Sequence, residues 1–348
     1  MMEEQFYIEK LIQKALKESR ANFNGSDKEF ESEMEIKLPK VIEKILTSVS
    51  EELYKYCFDK NNDLKKQERK IIKSIKSKYG NGIKIFEAFI ELNIKISSFT
   101  YDKYYKVFDK LEDQIKLDTL ISIHTRACQI INEIRVLTIN GYADGAMSRW
   151  RTLHELSITF LFLFKNDYET IDMYNDYQAI ETWKKAQEFQ ENYKSLGWES
   201  FSKEDLEFIE NDKDEMIKKY GKEFGKGYGW TMKVLPIGRR NIREIEKIVG
   251  QNHFRPIYTW ASENVHSGVS AIKKKLGLRE NEQDFLLTSC NDFGFLEAIE
   301  FSSTSILLMS ETFLNMEDSY MNKISKELLY FLREEVINEF AETEENYA

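Results

Sequence analysis

The segment Ser148-Arg149-Trp150-Arg151-Thr152-Leu153-His154-Glu155 puts two arginines, a histidine and a glutamate into one short, otherwise apolar stretch. Histidine exchanges protons near neutral pH, and arginine holds phosphate oxygens bidentately and stabilises charge that develops on them. Arg149 and His154 flanking a phosphodiester would therefore suit cleavage without a metal. A ribose 2′-hydroxyl would be the internal nucleophile, which points to RNA rather than DNA. Arg151 lies three residues before His154 and four before Glu155, so these three share a helix face. Arg149 and His154 are five apart, roughly 140° around a regular helix, and converge only through side-chain length or a second chain.

The same residues have an architectural reading. A buried charge without a partner is very costly, so Arg151, Glu155 and Glu133 of the preceding segment could form a hydrogen-bonded network. That segment also carries Arg126 and Arg135, while Ser262-Glu263-Asn264-Val265-His266-Ser267 offers a further histidine in a polar setting. Arg126, Arg151, Glu155, Asn264 and His266 are thus candidates to support the site or bind substrate around Arg149 and His154. Position separates the readings. A solvent-open cleft lined by Arg149, His154 and His266 fits an enzyme, and a buried, paired cluster fits architecture.

Other chemistries find little footing. His124, His154, His253 and His266 show neither HExxH nor Cys-His spacing, and Cys57, Cys128 and Cys290 are odd in number and far apart. Reduced buried thiols are expected, with no disulfide framework, metal or cofactor. The glycine cluster GKEFGKGYGW at 221–230 lacks the Gly-Lys-Ser/Thr ending of a nucleotide loop and reads as a linker. No GxSxG elbow is present to carry a serine triad.

The elements that must position these residues are helical. Only Pro39, Pro236 and Pro256 interrupt the chain, and no alternating strand pattern of useful length occurs. Apolar residues recur at helical spacing from Glu4 to Ser19 and from Glu29 to Tyr56, where Pro39 marks a kink or a new start. The charged run Asp63 to Lys78 reads as a solvated helix closed by Gly80 and Gly82, a nucleic-acid arm being the sharper reading. Leu111 to Thr138 forms a broad apolar face that Asn140-Gly141 ends. Ala143 to Phe164 then returns antiparallel, so a helical hairpin carries the reactive-looking residues. Helices follow at Tyr168–Leu196 and Lys203–Lys219; beyond the glycine cluster come NIREIEKIVG and FRPIYTWASENVHSG, then a helix near Phe293–Met316 and a charged C-terminal helix. In the Phe293–Met316 helix Ile306, Leu307, Leu308, Met309 and Phe313 suit either a dimer interface or the core.

Aromatics at 13% and hydrophobic residues at 42% support a globular chain, and a net charge of −10 opposes general attraction to polyanions. The N-terminal stretch has no basic flank or apolar run of a signal peptide, and Ile158–Phe164 is too short to span a bilayer. A cytoplasmic location and no membrane partner are expected.

The stretch INEIRVLTINGYADGAMSRWRTLHELSITFLFL, with YNDYQA and the later YTWASENVHSG, resembles the bacterial DUF5677 family of unknown function. Its features are a helix-ending Asn-Gly, matched by Asn140-Gly141, an Arg-x-x-x-Glu, matched by Arg151 and Glu155, and a Ser-x-x-x-His, matched by Ser262 and His266. The region also resembles the HEPN class of helical, often dimeric nucleotide-binding or RNA-cleaving domains, whose Arg-then-His spacing Arg149 and His154 reproduce. That class tends to place a small polar residue after the arginine, where this chain has Trp150. The resemblance implies an all-α multi-helix bundle built around a central antiparallel hairpin. It would comprise an N-terminal helical region at 1–108, a DUF5677/HEPN-like core at 109–275, and C-terminal helices at 276–348 packing on that core. It further implies a homodimeric, metal-independent endoribonuclease, a toxin or anti-phage effector with an RNA substrate and an antitoxin or defence-system partner. The competing expectation is a non-catalytic sensor or protein-interaction module with a structural Arg-Glu-His network.

Overall fold

A computed structural model describes residues 10, 13, 14, 17–266, 268–282 and 287–347, and every regular element among them is a helix. The pattern at Glu4–Ser19 and the Cys57 thiol lie largely or wholly outside the described residues. Two compact units divide the chain, Met1–Lys70 and Ile71–Ala348.

In the first unit, Ser26-Asp27-Lys28-Glu29 has the spacing of a capping box and forms one. The Ser26 amide donates to Glu29 Oε2 at 2.8 Å, and the Glu29 amide donates to Ser26 Oγ at 3.4 Å. Helix α1, Asp27–Lys78, starts there. It runs through Pro39 as continuous helix, so of the kink or new start expected at that residue the new start is corrected. A proline removes a single donor from the ladder, and 52 residues of helix supply the bonds on either side. The charged run from Asp63 is therefore the last part of α1. Its expected closure at Gly82 is also corrected, because α2, Gly80–Tyr104, already begins at Gly80. Gly82 is buried within α2, where a Cβ would stand 2.8 Å from the Phe340 ring. The glycine serves close helix packing, and the pattern reading makes no assignment for α2.

The second unit is organised by the hairpin. Helix α3, Leu111–Ile139, and α4, Ala143–Lys165, agree closely with the expected boundaries. Gly141 turns the chain with φ of 86°, and its absent Cβ leaves room for the Asn291 carbonyl, which would otherwise lie 2.6 Å away. Asn291 fastens the turn by donating its amide to the Gly141 carbonyl at 2.9 Å.

Helix α5, Tyr168–Asn192, and α6, Lys203–Tyr220, follow, each capped by the residue before it. Thr170 N donates to Asp167 Oδ1, and Asp205 N to Ser202 Oγ. The glycine cluster is more than a linker. Its short 3₁₀ turns bury Phe224 and Trp230, and a Cβ on Gly229 would collide with the Phe224 carbonyl. Helices α7, Ile242–Val249, α8, Arg255–Val265, and the brief α9, Val269–Lys273, come next.

Helix α10, Leu296–Leu314, packs along α4, and α11, Tyr320–Tyr347, packs on α2 and α10. Trp150 is wholly buried there and donates Nε1–H to Ser305 Oγ at 3.1 Å. Truncating so large a core side chain costs about 3–5 kcal/mol. Ile306, Leu307, Met309 and Phe313 are buried inside the chain, so this apolar stretch is core. A polar thread also crosses the interior. His124 Nε2 lies 2.8 Å from Ser310 Oγ, which donates to Asn93 Oδ1 at 2.6 Å, and Cys128 Sγ approaches His124 Nδ1 at 3.4 Å. Burial pushes His124 down to about 3 and the Cys128 thiol up to about 12. Cys290 is likewise a buried free thiol. Among the described residues no helix is long and apolar enough to cross a membrane.

Candidate functional site

Helix α4 is wedged between α3, α7, α8 and α10, so its polar residues must find partners on several elements. Arg149 turns toward α3, where Nη2 pairs with Glu133 Oε2 at 2.6 Å and Nη1 reaches Thr152 at 3.4 Å. Its Nε is buried without a hydrogen-bond partner among the described residues. Arg126 joins the same group from α3, 2.6 Å from Gln129 Oε1 and 3.7 Å from Glu133. Arg135 pairs instead with Glu87 on α2.

His154 faces the interior and is 2% exposed. Its Nε2 lies 3.1 Å from Oε1 of Glu246, a carboxylate with 0% exposure on α7. The other oxygen of Glu246 accepts from Arg255 Nε at 2.8 Å and also meets Arg255 Nη2. Rings of Trp150, Phe254 and Tyr258 close around the imidazole. This buried Glu246 holds α4, α7 and the start of α8 together.

The opposite edge of the same helical turn opens to solvent. Arg151 Nε donates to the Tyr258 hydroxyl at 3.0 Å and lies 3.2 Å from Glu155 Oε1, which also accepts from that hydroxyl. Arg151 Nη1 is 3.1 Å from Nε2 of the exposed His266. An arginine can only donate, so in this contact the imidazole nitrogen is the acceptor. The Tyr258 ring sits between two guanidinium groups, 5.1 Å from that of Arg151 and 4.6 Å from that of Arg255. Burial, with the Glu155 carboxylate beside it, pushes the Tyr258 phenol up to about 12 and keeps it a donor. Tyr258 thereby joins the dry cluster to the wet one. Ser262 Oγ turns back to the Tyr258 carbonyl.

Of the residues singled out in the sequence, Arg151, Glu155 and His266 come together. Arg149 and Arg126 share Glu133, and His154 stands apart from both groups. Asn264 lines a different space, a cavity of about 770 Å³ walled also by Trp260, Asp144, Phe293, Glu297 and Glu344. Among the described residues no three His, Cys, Asp or Glu side chains are placed to hold a metal ion.

Residues 117–284 match the model of a family of unknown function, DUF5677. This segment is a DUF5677 domain. The helix-ending Asn140-Gly141, the Arg151–Glu155 pair and His266 all fall within it. No curated protein and no solved structure matches the chain. Sequence reasoning missed Tyr258, Glu246 and Arg255, which also lie in the DUF5677 segment. Tyr258 carried a signal, standing four residues before Ser262 and eight before His266 on one helix face. Glu246 carried a fainter one, a carboxylate beside Ile245 in a strongly amphipathic short helix.

Proposed function

We propose that the DUF5677 segment is a non-catalytic helical module, a sensor or protein-interaction domain whose Arg-Glu-His network is architectural. One observation carries this reading. His154, the imidazole that the Arg-then-His spacing offers as proton donor, is enclosed by aromatic rings and tied to Glu246, so it has no approach to a phosphodiester. The kinship to HEPN domains is then that of a degenerate member, cytoplasmic, with the spacing of Arg149 and His154 retained but their partners separate. A homodimer with a defence-system or antitoxin-like partner remains compatible with such a module.

A second reading is favoured by the exposed contact between Arg151 and His266. Here a metal-independent endoribonuclease, a toxin or anti-phage effector, would use Arg151 to hold the phosphate and His266 to move the proton. Purified wild type, Arg149→Ala and His266→Ala proteins, matched in thermal melting, are incubated with total bacterial RNA in chelator. The module reading expects intact RNA in all three. Cleavage lost only with His266→Ala would replace it with the recentred nuclease, and cleavage lost only with Arg149→Ala would return the chemistry to the Arg149 side.

A further inference from the structure

Helix α1 presents an unusual face within the first unit. Tyr54 is 69% exposed and Phe58 68% exposed, although burying rings of this size is a large gain for any fold. At about 100° per residue Tyr54, Phe58, Lys65 and Arg69 fall within roughly 60° of one another, with Lys55 and Lys66 alongside. Lys55, Lys65, Lys66, Arg69 and Lys70 are all exposed. The acidic residues of the same span whose side chains are described are Asp63, held by Lys66 at 3.2 Å, and Glu68. Glu68 borders the rings and Asp63 lies on the opposite side of the helix, so Lys55, Lys65, Lys66 and Arg69 leave the face with a net positive charge on a chain of net charge −10.

We infer that this face of α1, from Tyr54 to Arg69, binds single-stranded nucleic acid, its cations following the phosphates while Tyr54 and Phe58 stack on bases. The chemistry on the helix favours this occupant. Exposed aromatic rings interleaved with cations match a strand whose bases are unpaired, since every base has a π-face and every linkage a negative charge. A duplex keeps its base faces stacked and would meet only the cations. The inference does not depend on the reading of the DUF5677 segment, because all its residues lie in the other unit.

The test measures binding of the full chain to a fluorescent 20-nucleotide oligouridylate across a salt series. Four neutralised phosphates give a slope of log affinity against log salt of about −3. Lys65→Gln/Lys66→Gln/Arg69→Gln, with helix content unchanged by circular dichroism, is expected to weaken binding at least about tenfold and to flatten the slope. Tyr54→Ala/Phe58→Ala is expected to weaken binding at least about thirtyfold and leave the slope. Absence of wild-type binding at about 50 mM salt would overturn the inference whatever the variants do. So would equal binding by all three proteins, equal affinity for a duplex, or stronger binding to phosphatidylserine vesicles than to the oligonucleotide. A wild-type dimer in sedimentation that Tyr54→Ala/Phe58→Ala dissolves would assign the face to a second copy instead.

Discussion

His154 and His266 are both held by charged partners within one site, yet they differ in nearly everything that chemistry needs. His154 is sealed among rings and bonded to a carboxylate that is itself sealed, while His266 is open to solvent and rests on Arg151. The two clusters share Tyr258 and are fed by adjacent residues of α4. Along a core helix, then, a change of three residues is enough to pass from a structural tie to an accessible surface, and a linear spacing motif is blind to that difference.

The sharpest way to break this comparison is to attack the dry side. Glu246→Leu keeps the side-chain volume but leaves His154 and Arg255 without their shared carboxylate, and should cost about 3–5 kcal/mol in urea unfolding. Adding Arg255→Met should recover part of that loss, because an apolar pair replaces an ionic one. If Glu246→Leu unfolds like wild type, the dry cluster is not a structural tie. His124 gives a second dry histidine, this time beside a neutral serine. Its folded pKa is depressed below its unfolded value, so it contributes stability that is present above about pH 6.5 and lost as pH falls toward 3. Unfolding midpoints should fall between pH 7 and 4 by an amount equivalent to about 3 kcal/mol, and by less in His124→Gln relative to its own value at pH 7.

Smaller effects should mark the wet side. Tyr258→Phe retains both guanidinium stacks and removes only the hydroxyl between Arg151 and Glu155, which should cost about 1 kcal/mol by the same urea assay. His266→Ala should change stability by less than about 0.5 kcal/mol. A loss there as large as that of Glu246→Leu would erase the distinction between the two sides.

The hairpin was legible because its signals are local. Periodic apolar residues give α3 and α4, and Asn140-Gly141 gives a turn that only a residue tolerant of positive φ makes easily. Helix α2 was not, although Phe86, Phe89, Ile90 and Ile96 carry helical spacing, because its opening Gly80-Asn81-Gly82 looks like a stop. The Arg151–Glu155 pair could be read from its four-residue separation. Glu246 stands 92 residues from His154, and no local pattern announces which acid will meet which imidazole.

Trp150 donates to Ser305 and Ser157 to the Ser305 carbonyl, so the centre of the DUF5677 segment leans on a helix that lies beyond its end at residue 284. The segment that matches the family model is thus shorter than the compact unit that contains it, Ile71–Ala348. A fragment cut at the family boundary would carry the complete Arg151 cluster and lack the wall that keeps α4 dry, whereas the compact unit that holds both runs from Ile71 through the last helix.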